Sequence, residues 1–131
     1  MELGPLVKWE ILLVFRPDLP KPHDKFCICI SAVKKWFFYI NSELPQFRKK
    51  REVAIAVSPF ELLCLTRDCY IDTTTVICDL PEEQLMIAIA DENRRKGPIS
   101  PTLKARIIKV VKDHGALEPQ YEAAVVNELF A

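Results

Sequence analysis

The sequence predicts an α+β domain in which a mostly antiparallel β body comes first and a pair of helices follows. Apolar and β-branched runs of strand length, separated by turn residues, fill the chain as far as Leu80. The helix with the clearest start and stop signals comes only after Ile99. At 131 residues the chain has the length of a single domain. We therefore expect one domain over residues 1–131, with a β body at about 6–90 and a helical extension at about 99–130.

Composition excludes several classes of protein. Lys+Arg and Asp+Glu both number 18, so no net charge draws the whole chain to nucleic acid or to an anionic membrane. No apolar run approaches the roughly 20 residues that span a bilayer, and residues 1–5 lack the features of a secretory signal. The five cysteines are odd in number and lie mostly in apolar runs. We expect a cytoplasmic protein without membrane contact.

The first strands follow from apolar runs and the prolines between them. Residues 6–15 predict a strand, and three prolines in residues 16–22 predict a stiff exposed loop. Residues 26–31 and 36–41 predict a β-hairpin with a four-residue connection, residues 32–35.

The middle of the chain is read from charge and β-branched residues. We expect a basic surface loop at residues 47–51, a strand at 53–57 and a strong strand at 69–79. Ser58 and Pro59 begin the next element, in which residues 60–65 could form a strand or one helical turn. Residues 84–90 are ambiguous, although the acidic residues beside a proline favour a helix, and a charged connector is expected at 91–97.

The C-terminal helices carry clear signals. Ser100 provides an N-cap, Pro101 takes the first helical position, and Gly115 follows the helix, which predicts a helix from Pro101 to His114. A second helix is expected to start near Pro119. The two predicted apolar stripes, which we expect to pack on the β body, are Leu103, Ile107, Val110 and Val111, and Tyr121, Val125, Val126 and Leu129.

Cys27 and Cys29 are the closest pair of thiols in the chain. Alternate residues of a strand point to one face, so two thiolates could approach one metal ion there. A structural zinc site needs four ligands, however, and no second pair lies at a suitable spacing. We predict buried core cysteines, no structural metal, no disulfide and no cofactor.

Two polar clusters could carry acid–base chemistry. His23 follows the proline-rich loop beside an acid and Lys25, and histidine titrates near neutral pH. The alternative is a solvated loop histidine. Asp72 is unfavourable in a β-rich segment that also follows Arg67, so it lies at an edge, bonds to neighbouring hydroxyls, or has a function.

A basic run could bind nucleic acid. Phe47, Trp36 and Tyr39 are the nearby aromatic residues, and basic side chains beside aromatic ones suit single-stranded nucleic acid. The alternative is a solvated turn. The run comprises Arg48, Lys49, Lys50 and Arg51.

The order of these elements resembles the PemK/MazF-like toxins of type II toxin–antitoxin systems over about residues 6–80. The resemblance rests on the proline- and lysine-rich loop, on the apolar strand from Lys25 to Ser31, and on the later strands around Asp72. Lys25 falls at the position of the family's basic residue, usually arginine, and Phe26 replaces its proline. Residues 36–42 and 68–73 look similar to segments of atypical members.

The resemblance implies a small antiparallel SH3-like β-barrel with C-terminal helices that cleaves single-stranded RNA without a metal ion, or a degenerate relative of such an enzyme. His23 or Asp72 would transfer protons, and Lys25 or Arg67 would stabilise negative charge. We expect these four residues to lie around one concave face. The implied partners are single-stranded RNA, an acidic antitoxin and a second copy of the chain.

A different class of function stays open beside the nuclease. Balanced charge also suits a non-enzymatic protein-interaction module, encoded by a phage or mobile element, or a structural subunit of an oligomer.

Overall fold

The computed structural model describes residues 3–127, and within them the chain forms six strands and four helices. The strands form one antiparallel sheet in the order β4-β5-β3-β2-β1-β6, curled into a half-barrel. The predicted α+β class is confirmed. The elements are β1 (Glu10–Arg16), β2 (His23–Ser31), β3 (Trp36–Asn41), α1 (Arg48–Val53), β4 (Ile55–Val57), β5 (Cys69–Ile77), α2 (Glu82–Ala90), β6 (Arg95–Pro98), α3 (Pro101–His114) and α4 (Pro119–Val126).

The predicted hairpin of β2 and β3 is present, and it lies at the centre of the sheet. Its register pairs Cys27 with Tyr39 and Ile28 with Phe38, and β3 has the predicted bounds. Strand β2 begins three residues earlier than predicted, at His23. His23 and the two residues after it therefore belong to a strand, which fixes the face that each side chain takes.

The sheet buries a core on each face. Ile28, Phe38 and Ile71 belong to the core beneath α3 and α4. Cys27, Cys29 and their neighbours belong to a smaller core beneath α2, which contributes Leu85. Both cysteines are fully buried, which confirms their prediction as core residues.

Two segments differ from the prediction. Residues 47–51 were expected as a loop, but helix α1 begins at Arg48 and Phe47 is its N-cap. Within the helix, Arg48 pairs with Glu52 one turn later at 3.1 Å. The charged connector at residues 91–97 contains strand β6, which pairs with β1. The charged residues of this segment led to the prediction of a connector, although short exposed edge strands commonly carry charged residues. Residues 58–65 form turns, whereas α2 takes the helical alternative favoured for residues 84–90.

A partly buried ion pair holds β6 to the sheet. Arg95 Nε and Nη2 donate to the two carboxylate oxygens of Glu10 at 2.7 and 2.8 Å. Arg95 also donates to the backbone carbonyls of Gly4, Pro5 and Ile89. One guanidinium thus joins the N-terminal segment, β1 and the end of α2 to β6.

The C-terminal helices pack on the sheet as predicted. The Ser100 hydroxyl accepts a hydrogen bond from Leu103 N at 3.1 Å, and α3 ends at Gly115, whose φ is 55°. Helix α4 sets Tyr121 edge-on against Trp36, with ring centroids 4.6 Å apart. The buried α3 residues are Leu103, Ile107 and Val111; Leu129, assigned to the second stripe, lies outside the described residues. Among the described helices none is both long and apolar enough to cross a bilayer.

We predict that Ile107→Asp destabilises the domain by about 4 kcal/mol or more, because it removes a fully buried side chain and buries a charge. Chemical denaturation measures the change. Ala105→Asp, on the exposed side of the same helix, should cost within about 1 kcal/mol. An Ile107→Asp chain that keeps its melting temperature but loses self-association would make the α3 stripe an interface.

Candidate functional site

The alternation of side chains along the strands creates one open polar face. Cys27 lies beneath α2, and Lys25, two residues earlier on β2, points to the same face. Tyr39 pairs with both Cys27 and Asp72, so the Asp72 side chain also takes this face. Lys25 and Asp72 form a polar part of this face, and both line a cleft in the surface.

Two clefts adjoin at the beginning of β2. The larger cleft has a volume of about 630 Å³ and is lined by His23, Lys25, Lys50 and Asp72 among others. The smaller cleft, of about 230 Å³, is lined by Arg67 and shares His23, Lys25 and Ser42 with the larger cleft. Three of the four predicted catalytic residues thus line one cleft, and the fourth lines its neighbour.

Lys25 is the half-buried cation at this junction. Its Nζ donates to Asn41 Oδ1 at 2.6 Å and lies 4.6 Å from the centre of the Tyr39 ring. Burial lowers the pKa of Lys25, and the nearby positive charge of Arg16 acts in the same direction. Within residues 3–127 no carboxylate forms an ion pair with Lys25. Its charge is therefore available to an anion in the cleft.

His23 is exposed at the rim of both clefts. Its Nδ1 lies 2.6 Å from the backbone carbonyl oxygen of Lys21. A carbonyl oxygen only accepts hydrogen bonds, so Nδ1 must carry the proton and donate. In the neutral ring the lone pair is then on Nε2, which can accept a proton from a bound molecule.

Asp72 is bonded to its own neighbours, one of the alternatives that the sequence left open. Its Oδ1 accepts from the backbone N and the hydroxyl of Thr74 at 2.9 and 2.6 Å. Its Oδ2 lies 3.7 Å from Lys50 Nζ, which also donates to the Thr75 hydroxyl at 3.2 Å. Asp72 therefore anchors Lys50 at the wall of the larger cleft.

The other residues of the basic run lie on the exposed surface of α1. Arg48, Lys49 and Arg51 are all exposed, and Phe47, just before the helix, is 75% exposed where it lines the larger cleft. Trp36 is partly buried and packs instead against the core beneath α3 and α4. Phe47, and not Trp36, is therefore the aromatic ring beside the basic helix.

Arg16 belongs to this face and was missed from sequence. It is only 3% exposed, and its guanidinium donates to the Tyr39 hydroxyl at 2.7 Å and to the carboxylates of Asp18 and Asp79. Asp18 foremost holds the pKa of Arg16 above its ordinary value, while burial raises the pKa of Tyr39 to about 12. The alternation of Arg16 with Val14 in β1 was the available signal.

The thiols on this face, those of Cys27 and Cys29, are not reactive nucleophiles at neutral pH. Burial raises the pKa of both Cys27 and Cys29 to about 12, which keeps them as thiols at neutral pH. Across residues 3–127 no three His, Cys, Asp or Glu side chains are grouped so that they could hold a metal ion.

Comparison with known proteins adds no assignment, since no protein-family model and no curated protein matches the chain. The geometry of the two clefts is therefore the basis for a functional hypothesis.

We predict that Lys25→Met changes the pH dependence of folding stability. Because folding lowers the pKa of Lys25, the unfolded chain binds more protons between that lowered value and the ordinary lysine pKa of about 10.4. The unsubstituted protein should therefore gain folding stability relative to the Lys25→Met variant as pH rises through this range.

Urea denaturation at several pH values measures this difference. Lys34→Met, at an exposed lysine of the β2–β3 turn, is the matched control. A stability difference between the native chain and Lys25→Met that does not change with pH would contradict the placement of Lys25 as a desolvated cation.

Proposed function

We propose that the chain is a PemK/MazF-like endoribonuclease, with an SH3-like barrel, that cleaves single-stranded RNA without a metal ion. The observation that supports this proposal best is the junction of the two clefts, where His23 and Lys25 lie together. A proton acceptor beside a cation without a carboxylate partner suits attack on a phosphodiester.

The reaction needs one proton acceptor, one proton donor and a cation. In our proposal His23 Nε2 takes the proton of the ribose 2′-OH, whose oxygen attacks phosphorus. Lys25 stabilises the negative charge that develops on the phosphoryl oxygens. The bond from phosphorus to the 5′-oxygen then breaks, and a 2′,3′-cyclic phosphate and a 5′-OH are the products.

The proton for the leaving 5′-oxygen comes from Lys25 in this proposal. Its lowered pKa makes the ammonium a better acid than an exposed lysine. Asp72 has a positioning role, because its oxygens bind Thr74 and face Lys50. Arg67, in the smaller cleft, adds a second positive charge.

The basic helix α1 extends the proposed RNA-binding surface. Arg48, Lys49 and Arg51 are exposed beside the larger cleft and suit contacts to flanking phosphates. An acidic antitoxin would compete for the same cations.

We expect His23→Ala to lower the rate of RNA cleavage about 10²- to 10⁴-fold, the range for loss of a general base. The substrate is a single-stranded oligoribonucleotide in buffer with a chelator, and product ends are identified by mass spectrometry. His114→Gln is the matched control, because His114 bonds Thr73 on the opposite face of the sheet. It should keep most of the activity.

Three results would count against this function. They are cleavage of an oligonucleotide that lacks 2′-OH groups, loss of all activity with chelator, and equal rates for native chain and His23→Ala. The first two would contradict the chemistry, and the third would contradict the role of His23.

The alternative function, a non-enzymatic protein-interaction module, is favoured by a different surface. An apolar groove of about 540 Å³ lies between the β2–β3 turn and α4, where it is lined by Val33, Trp36 and Ala123 among others. An absence of RNA cleavage, together with self-association that Val33→Asp abolishes, would favour this function. Sedimentation velocity at several concentrations measures the self-association.

A further inference from the structure

The shared wall of the two clefts suggests how a ligand would lie across them. His23, Lys25 and Ser42 line both clefts, so a molecule passing from one to the other must cross these side chains. A volume of about 630 Å³ falls within the usual range for a small-molecule site, about 300–1,000 Å³, whereas about 230 Å³ falls below it. The clefts are therefore suited to different parts of a ligand.

The charges around the junction indicate where a phosphate would lie. Lys50 faces the carboxylate of Asp72, and Arg16 is neutralised by Asp18 and a second aspartate. Lys25 has only an amide oxygen and an aromatic ring as partners. Among these three cations, Lys25 is therefore the one whose charge an anionic ligand would complete.

We propose that one phosphate of a nucleic acid strand binds Lys25 at the junction, with part of one neighbouring nucleotide in each cleft. The base in the larger cleft stacks on Phe47, and the sugar of the neighbouring nucleotide lies in the smaller cleft beside Arg67. This inference rests on the proposed ribonuclease function and adds its minimal substrate, a dinucleotide with one phosphodiester. It also assigns base stacking to one side of that phosphate.

The two clefts differ in the surfaces they offer. Phe47 presents an exposed aromatic ring at the larger cleft, and Leu44 adds an apolar contact beside it. Base stacking on such a ring tolerates all four bases. The smaller cleft offers Thr66 and Arg67, whose hydroxyl and guanidinium suit a sugar and its phosphate.

The test uses a dinucleoside monophosphate whose first nucleoside lacks the 2′-OH, so that it cannot be cleaved by 2′-OH attack. Its affinity is compared with that of inorganic phosphate and of the free nucleosides by NMR titration. We expect the dinucleotide to bind more tightly than any of these pieces, with the largest shifts at Lys25, Phe47 and Arg67.

Substitutions separate the phosphate from the base. Phe47→Ala should weaken dinucleotide binding about 5- to 150-fold, which corresponds to about 1–3 kcal/mol for stacking, and should leave phosphate binding unchanged. Lys25→Met should weaken both at least about tenfold, the effect of about 1.4 kcal/mol. Phe60→Ala, at a ring that is 95% exposed and outside both clefts, and Lys34→Met are the matched controls.

The outcomes distinguish this inference from the nuclease proposal. Tight dinucleotide binding that depends on Phe47, without cleavage of RNA, would support the binding mode and contradict only the catalysis. Dinucleotide binding no tighter than phosphate, or equal effects of Phe47→Ala and Phe60→Ala, would overturn the inference even if the chain cleaves RNA.

Discussion

The strict alternation of side chains along β2 and β3 is the constraint on which the rest of the structure depends. It sends Ile28 and Phe38 to the core beneath α3 and α4, and Cys27 to the core beneath α2. Strand β2 has nine residues and spans about 30 Å, whereas α2, also nine residues, is about 14 Å long. The helix cannot cover the whole face, so the same alternation leaves Lys25 on an uncovered continuation of the core.

The edge of this core explains why its charged residues are treated differently. Arg16 is nearly inaccessible, and two carboxylates and the Tyr39 hydroxyl compensate its charge. Lys25 also contacts Tyr39, through the face of its ring, but its only hydrogen-bond acceptor among the described residues is the amide oxygen of Asn41. A desolvated charge without a counterion lowers stability, and such a cost is typical of a residue retained for binding or catalysis. The contrast within one face distinguishes a cation that the fold itself compensates from the cation that our proposal assigns to ligand binding.

The parts of the fold that local signals specify were predictable from sequence. Strand β3 and helix α3 have the predicted bounds, because apolar alternation and the Ser100 cap depend on neighbouring residues only. Helix α1 and strand β6 depend on tertiary contacts, namely Lys50 with Asp72 and Arg95 with Glu10. For the site, the sequence indicated which residue types could carry the chemistry, but not how the strands bring them together. Arg16 was assigned to the proline-rich loop, because its place at the end of β1 depends on pairing with His23.

The register of the sheet also separates the roles of the candidate residues. Strand β3 lies between β2 and β5, and Tyr39 pairs with both Cys27 and Asp72, so those two backbones are two strand spacings, about 10 Å, apart. Lys25 is a further two residues along β2, which makes the diagonal to Asp72 about 12 Å. A single phosphate needs contacts of about 3 Å from each catalytic group. His23 lies beside Lys25 on the same strand face and can meet that requirement with it, which is why our proposal gives these two residues the chemical steps. Asp72 lies too far along the diagonal, and the proposal gives it a positioning role through its ion pair with Lys50.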